Sequence, residues 1–166
     1  MTEVWRSQTG EGGRAEVYLT IITPSENHWN ALVPELFCLG TAPTRDDLIR
    51  QTREAIALAL EDQPDMQPRL RGRDDLDPDL LAALDGDAEI IFLAPIEMNP
   101  VSLEIERALE KAGVSQAELA RRLGTSRSAV GRLVNPFYWG HSLDMLRRVA
   151  AALEAELEVK LTAKAS

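Results

Sequence analysis

The sequence predicts an α+β protein made of a β-β-β-α-β module followed by an all-α module, and three observations carry that prediction. Short β-branched runs bounded by turn residues fill much of the chain before Glu97, apolar residues at helical spacing dominate from Asn99 onward, and the charge divides at the same place. Residues 1–99 hold 8 basic and 19 acidic side chains, a net of −11, whereas residues 100–166 hold 10 and 8, a net of +2, within an overall charge of −9. With 166 residues, 45% of them hydrophobic, the chain is long enough to bury a core in one medium domain or in each of two small ones. The overall acidity argues against a general polyanion binder or an anchor for acidic membranes.

Residues 1–14 mix Gly10, Gly12 and Gly13 with charges and show no hydrophobic period, which predicts a flexible tail. Without a preceding strand those glycines are a poor phosphate loop. AEVYLTIIT at 15–23 is β-branched and aromatic and ends in turn residues, so it reads as a first strand. HWNALV at 28–33 alternates apolar with polar before Pro34, and FCLGT at 37–41 reads as a third strand, completing an antiparallel meander.

Thr44 then stands before RDDLIRQTREAIALALE, where Leu48, Ile49, Thr52, Ile56 and Leu60 share one helical face. Asp46 and Asp47 occupy the dipole-favoured first turn, and Asp47 completes a capping box with Thr44. Residues 62–87 are rich in Asp, Pro and Arg and read as an acidic loop insert, with one short helix after Asp77 that has Pro78 in its first position. AEIIFLAPIE at 88–97 is a continuous apolar run of strand length, expected at the centre of the sheet.

Asn99-Pro100 caps a helix that Gly113 stops, and further helices are expected at 116–123, 127–133 and 143–153, the last with Leu143, Leu146, Val149, Ala150 and Leu153 on one face. In LEVKL, Leu157, Val159 and Leu161 alternate with Glu158 and Lys160, a pattern that allows a short C-terminal strand. The expected domains are therefore 15–97 and 99–161. The single cysteine, Cys38, excludes an intrachain disulfide and any multi-cysteine metal site, which suits a reducing cytoplasm. No apolar run approaches the length of a membrane span, and the polar start is unlike a signal sequence, so a cytoplasmic protein is expected.

The most informative stretch is SQAELARRLGTSRSAVGRLVN at 115–135. Ser115 and Glu118 form a capping box; Leu119, Ala120 and Leu123 make the buried face of one helix, and Gly124 permits a sharp turn. Thr125 can cap a second helix, whose Val130 and Leu133 point back into the same core. This spacing is the internal skeleton of a helix-turn-helix. It turns Arg127, Ser128, Gly131 and Arg132 outward, with Ser126 at the helix start and Gln116 placed for a phosphate at the start of the preceding helix. An outward Arg can pair with guanine O6 and N7, and Ser side chains can reach phosphates or base edges. Gln116, Thr125, Ser126, Arg127, Ser128 and Arg132 are therefore the expected contacts to double-stranded operator DNA. Between Ser115 and Arg148 there are 6 arginines against Glu118 and Asp144, a net of +4. The alternative, solvated arginines on a helical hairpin, leaves the match to the whole buried skeleton unexplained. One such unit buries too little surface for tight binding, so a homodimer reading half-sites roughly 34 Å apart is expected, with pairing into tetramers left open.

VPELFCLGTAPTRDDLIRQTREAI at 33–56 resembles the signature of the HicB antitoxin family. Pro34, Glu35, Leu36, Thr44, Asp46, Asp47, Arg53, Glu54, Ala55 and Ile56 carry the likeness, and Phe37 and Cys38 stand where the family has Pro-Gly, with one residue fewer before Thr44. NPFYWGHSLDMLRRVAAAL at 135–153 is similar to the end of the lambda-repressor-like domains fused to HicB. The resemblance implies a partial ribonuclease-H-like first module and a type II antitoxin that inhibits a small basic HicA-type RNA-cleaving toxin and represses its own operon. It does not say which residues meet the toxin. The acidity of the first module suits such a partner.

An enzyme is the first rival reading, because Asp74, Asp75, Asp77, Asp79, Asp85 and Asp87 cluster in sequence. Neither Asp75-Leu76-Asp77 nor Asp85-Gly86-Asp87 continues into a calcium loop, and a solvated linker explains the cluster better. His28 and His141 stand alone, without a second histidine at ligand spacing or a nucleophile turn. His141 is expected in a local turn hydrogen bond or on a phosphate, and Phe137, Tyr138 and Trp139 in packing around a helix end. No catalytic residue, metal or cofactor is expected. The second rival is a one-component repressor whose first module senses a small molecule, although 15–97 holds no glycine-rich phosphate loop or convergent polar set.

Overall fold

A computed structural model describes residues 16–163; the expected tail at 1–14 and Ala15 lie outside the described residues. The chain is mixed α+β and divides between Glu97 and Met98 into two compact units.

The first unit is a four-stranded sheet in the order β3-β2-β1-β4, with β1 at Tyr18–Pro24, β2 at Trp29–Val33, β3 at Cys38–Ala42 and β4 at Glu89–Leu93. Every neighbouring pair is antiparallel. The first hairpin closes where Ser25 N–H donates to His28 C=O at 2.8 Å. A 3₁₀ turn at Pro34–Leu36 closes the second, and Phe37 leaves it in the left-handed region at φ 53°. Helix α1, Arg45–Asp62, follows β3; Thr44 Oγ1 caps it by accepting from Asp47 N–H at 3.1 Å, and the Asp47 carboxylate accepts at 2.8 Å from the Thr44 hydroxyl rather than from the Thr44 backbone N–H of a full capping box. Leu48, Thr52 and Ile56 are buried beneath it among Tyr18, Ile22, Ala31, Val33 and Ala42. The even-numbered residues of β1 thus face α1.

Its odd-numbered residues face the other way, and the insert covers them. Leu70, Leu76, Leu80, Leu81 and Leu84 pack with Leu19, Ile21, Leu32 and Ile90. Segment 62–87 is therefore a second layer rather than a solvated linker, and its acidic residues lie on the outer side of a leucine-lined lid. It contains a 3₁₀ turn at Arg73–Asp75 and helix α2 at Pro78–Ala83, capped by Asp77 as expected. Glu35 Oε1 holds the start of the layer by accepting from the backbone N–H groups of Arg69 and Leu70.

The expectation for the fourth strand is corrected. β4 lies at an edge, paired only with β1, and β1 is an interior strand. Its apolar run arises because both faces of the sheet are covered: Ile90 meets the insert and Ile91 meets the α1 side. A continuous apolar strand reports two covered faces, not two flanking strands.

The second unit packs helices α3 (Pro100–Ala112), α4 (Gln116–Leu123), α5 (Arg127–Leu133) and α6 (Leu143–Ala152) around Ile105, Leu109, Leu119, Val130, Leu133, Val149 and Leu153. Asn99 caps α3, and Gly113 ends it at φ +64°. The C-terminal strand is not formed within the chain: residues 155–163 belong to no strand of the described structure. Among the described residues no helix is long and apolar enough to cross a membrane.

Candidate nucleic-acid interface

The corner between α4 and α5 is built by local chemistry. Ser115 Oγ accepts from Glu118 N–H at 3.1 Å and starts α4. At its end Gly124, at φ +67°, lets Gly124 N–H reach Arg121 C=O at 3.2 Å and Thr125 N–H reach Ala120 C=O at 3.0 Å. These paired bonds satisfy the last carbonyls and redirect the chain, a geometry in which a Cβ is strained. Ser126, not Thr125, caps α5: its Oγ accepts from Ala129 N–H at 3.1 Å. Thr125 instead occupies the turn, exposed. The correction follows from the Gly124 turn, which takes up Thr125 N–H and leaves the next residue with the extended backbone a cap needs.

The five positions predicted to face inward, Leu119, Ala120, Leu123, Val130 and Leu133, are all buried. The outward set is also placed as helical geometry demands: Arg127, Ser128 and Arg132 are exposed, Gly131 is half-buried between them, and Gln116 is half-buried at the start of α4.

The arginines, however, differ in state. Glu118 draws in two of them, Arg121 at 2.5 Å and Arg122 at 3.0 Å, and the hydrogen bonds from Arg121 and then Arg122 hold its carboxyl down to about 2 from an ordinary 4.5. Arg122 also donates to Ala152 C=O, and Arg148 to Leu123 C=O, each at 2.8 Å, so both brace the bundle. Arg127 and Arg132 make no ion pair or side-chain hydrogen bond among the described residues. Half of the predicted positive charge is thus committed to folding, and the free guanidiniums of α5 stand on its outward face.

Behind α5, His141 has a structural role. Its Nε2 donates to Leu133 C=O at 2.8 Å, and its Nδ1, 3.2 Å from Asn99 Nδ2, accepts from that amide. Asn99 also donates to Tyr138 C=O at 2.9 Å, and the Tyr138 and His141 rings meet edge to face with centroids 5.1 Å apart. This knot ties the start of α3 to the segment leaving α5, and it uses both histidine nitrogens internally.

In the first unit the aspartates serve the backbone. Asp77 caps α2 and Asp75 accepts from Arg71 N–H at 2.7 Å. Among the described residues no cluster of three His, Cys, Asp or Glu is arranged to hold a metal. The cleft between β3 and α1, lined by Cys38, Gly40, Thr52 and Ala55, holds about 150 Å³, well under the roughly 300 Å³ at which small-molecule sites begin. Sequence reasoning missed the exposed apolar pair at the start of β3, where Phe37, in the turn before the strand, and Leu39, within it, are 89% and 80% exposed. Part of the signal was available: Leu39 and Thr41 alternate with Cys38, Gly40 and Ala42, the latter two set against α1 or the core beneath it, whereas the exposure of Phe37 comes from its left-handed turn.

Comparison with known proteins gives one family match. Residues 105–135 match the helix-turn-helix family HTH_3, which spans most of α3, the α4–α5 corner and the free arginines. No curated protein matches the chain. The match and the geometry together give the second unit a DNA-binding, transcription-regulating role.

Proposed function

We propose that the chain is a type II antitoxin that also represses its own operon. Its first unit binds and inhibits a HicA-type RNA-cleaving toxin, and its second binds operator DNA as a homodimer with α5 in the major groove. The observation that carries the DNA half is the outward face of α5, where Arg127 and Arg132 stand unpaired above a buried core. Gln116, Thr125, Ser126 and Ser128 supply backbone and base-edge contacts around them; Ser126 does so through whatever capacity its capping bond leaves. A seven-residue recognition helix buries little surface by itself, which supports the dimer.

The toxin half rests on three supports: the resemblance of 33–56 to the HicB signature, the −11 charge of residues 1–99 suited to a basic partner, and the exposed Phe37 and Leu39 at the start of edge strand β3. The succession of three antiparallel strands, helix α1 and a fourth strand beside β1, with the insert and its helix α2 between α1 and β4, supports the partial ribonuclease-H-like description. In this reading the chain works in the cytoplasm by binding and catalyses nothing. The test is to look for a short basic reading frame beside its gene and co-express it with this chain; absence of such a frame counts against the toxin half. Growth arrest by that frame alone, rescue by this chain and a co-purified complex are expected. A neighbour that is harmless, or that does not bind, overturns the toxin half and leaves the DNA half standing.

A further inference from the structure

We infer that residues 155–163 join two copies of this chain, as an antiparallel strand pair centred on Val159. The inference rests on the dimeric reading above and specifies where the dimer is made.

Ala155 N–H closes α6 by donating to Ala150 C=O at 2.9 Å, and beyond it residues 156–163 make no backbone hydrogen bond among the described residues. A run of unpaired N–H and C=O groups with alternating apolar side chains is an open strand edge, which proteins pair, cover or blunt. Here it is not blunted. Val159 and Leu161 are 63% and 96% exposed, and Leu143 on α6 is 56% exposed. Leu157 and Val159 line an open groove of about 470 Å³ with Leu143, Arg147, Ala150 and Ala151 of α6. Leu157 and Val159 therefore lie along α6, and Leu161 stands exposed beyond the groove.

The sequence of the segment identifies the occupant as a second copy. Directly opposed residues of an antiparallel pair share a face, so an even register is required to keep apolar opposite apolar. Centred on Val159, the pair sets Leu157 against Leu161 twice, Val159 against itself, and Glu158 against Lys160 twice. Centred on Glu158 or on Lys160, it sets a like charge against itself, and centred on Leu157 it sets Glu156 against Glu158. A parallel pair would align every charge with its own kind. Centred on Leu161, it sets Lys160 against Thr162 and Val159 against Ala163, so only the Val159 register matches opposite charges and large apolar side chains at every opposed position from 157 to 161, and its two-fold axis brings the exposed faces of both α6 helices under one apolar ribbon.

Opposed Cα atoms in such a pair are about 4.5–5.5 Å apart, within the span a disulfide bridges. In the full chain carrying Cys38→Ser, Val159→Cys is expected to form a covalent dimer on mild oxidation, whereas Glu158→Cys and Lys160→Cys are not. In the unaltered background, Lys160→Glu is expected to raise the dimer dissociation constant about tenfold, and Glu158→Lys combined with Lys160→Glu to restore it. Equal cross-linking at all three positions, a wild-type chain that sediments as a monomer, or a charge swap that fails to restore association overturns the interface. A chain that retains the DNA upstream of its gene as a dimer but does not cross-link through Val159→Cys also overturns it and leaves the DNA reading intact. Cross-linking there in a chain that retains no such DNA supports the interface and sinks the DNA reading.

Discussion

Replacing Arg127 and Arg132 together by alanine separates DNA recognition from folding, because the structure gives these two side chains nothing to do inside the chain. Both are exposed and neither is paired among the described residues, so the stability change should stay within about 0.5 kcal/mol, the range of surface substitutions without a specific contact. On DNA the loss should be large. A bidentate pair with guanine is worth roughly 1–3 kcal/mol, or about 5- to 150-fold in affinity, and a two-fold dimer loses each arginine twice. If either side chain meets phosphate instead, the slope of log affinity against log salt should fall by about 0.9 for each contact removed. Fluorescence anisotropy on the DNA upstream of the gene, titrated with salt and repeated on a scrambled duplex, reads both quantities. Arg148→Ala is the contrasting variant: it removes the 2.8 Å bond to Leu123 C=O and should lower thermal stability. Unchanged affinity and an unchanged salt slope in the Arg127, Arg132 variant would refute the groove assignment outright.

Other perturbations test the remaining steps. Gly131→Ala adds a Cβ that meets nothing within 4 Å and should stabilise α5 by up to about 1 kcal/mol; weaker DNA binding in the same variant would show close approach to DNA, and unchanged binding would refute it. Leu76→Ala, buried between the insert and Leu19 and Ile21, should cost roughly 2–4 kcal/mol in urea unfolding, and a loss under about 0.5 kcal/mol would mean the insert is only loosely held. Phe37→Gly relieves a left-handed backbone at an exposed side chain, so stability should hold or rise by about 1 kcal/mol while affinity for the proposed toxin falls; clear destabilisation would contradict the strain argument. For Glu118 the folded pKa lies below the unfolded one, so its stabilising contribution is complete above about pH 4.5 and disappears as pH falls toward 2. The stability gap between wild type and Glu118→Gln should therefore close over that window, and a gap independent of pH would show that the ion pairs are not its source.

The parts of the molecule that were legible in the sequence are those fixed by short-range chemistry. Ser115, Gly124 and Ser126 act through hydrogen bonds to neighbours a few residues away, and Leu119, Leu123, Val130 and Leu133 are set by the helical period, so the corner could be read position by position. The position of β4 was not legible, because partner choice in a sheet is non-local and an apolar run records coverage rather than neighbours. The role of the insert was hidden for a related reason. Leu70, Leu76, Leu80, Leu81 and Leu84 follow no single period across a turn, a 3₁₀ segment and a short helix, yet they converge on one face of β1. The division of the arginines was half legible. Capture of Arg121 and Arg122 by Glu118 follows from i,i+3 and i,i+4 spacing, whereas the carbonyls that hold Arg122 and Arg148 are supplied by distant elements.

The same division bears on what a family signature can say about a partner. In the 33–56 stretch most of the residues that carry the likeness are occupied by the fold: Thr44 and Asp47 cap α1, Ile56 is buried beneath it, and Glu35 holds the insert. Arg53 Nε donates to Ala94 C=O at 3.0 Å and Arg53 C=O accepts from Ile96 N–H at 3.2 Å, locking α1 to the end of β4. A side chain held by such bonds is costly to redirect toward a partner, because the group it leaves behind would be unsatisfied. The residues that carry the likeness therefore serve as scaffold, and in the proposed antitoxin role selectivity for one toxin over another must come from residues the scaffold does not use. Phe37 and Leu39 meet that condition, and Phe37 does so from a backbone conformation that favours glycine. Under the proposed function, exchanging these two residues with those of a HicB antitoxin should transfer toxin preference while leaving stability nearly unchanged, whereas exchanging Arg53 or Glu35 should alter stability without transferring preference.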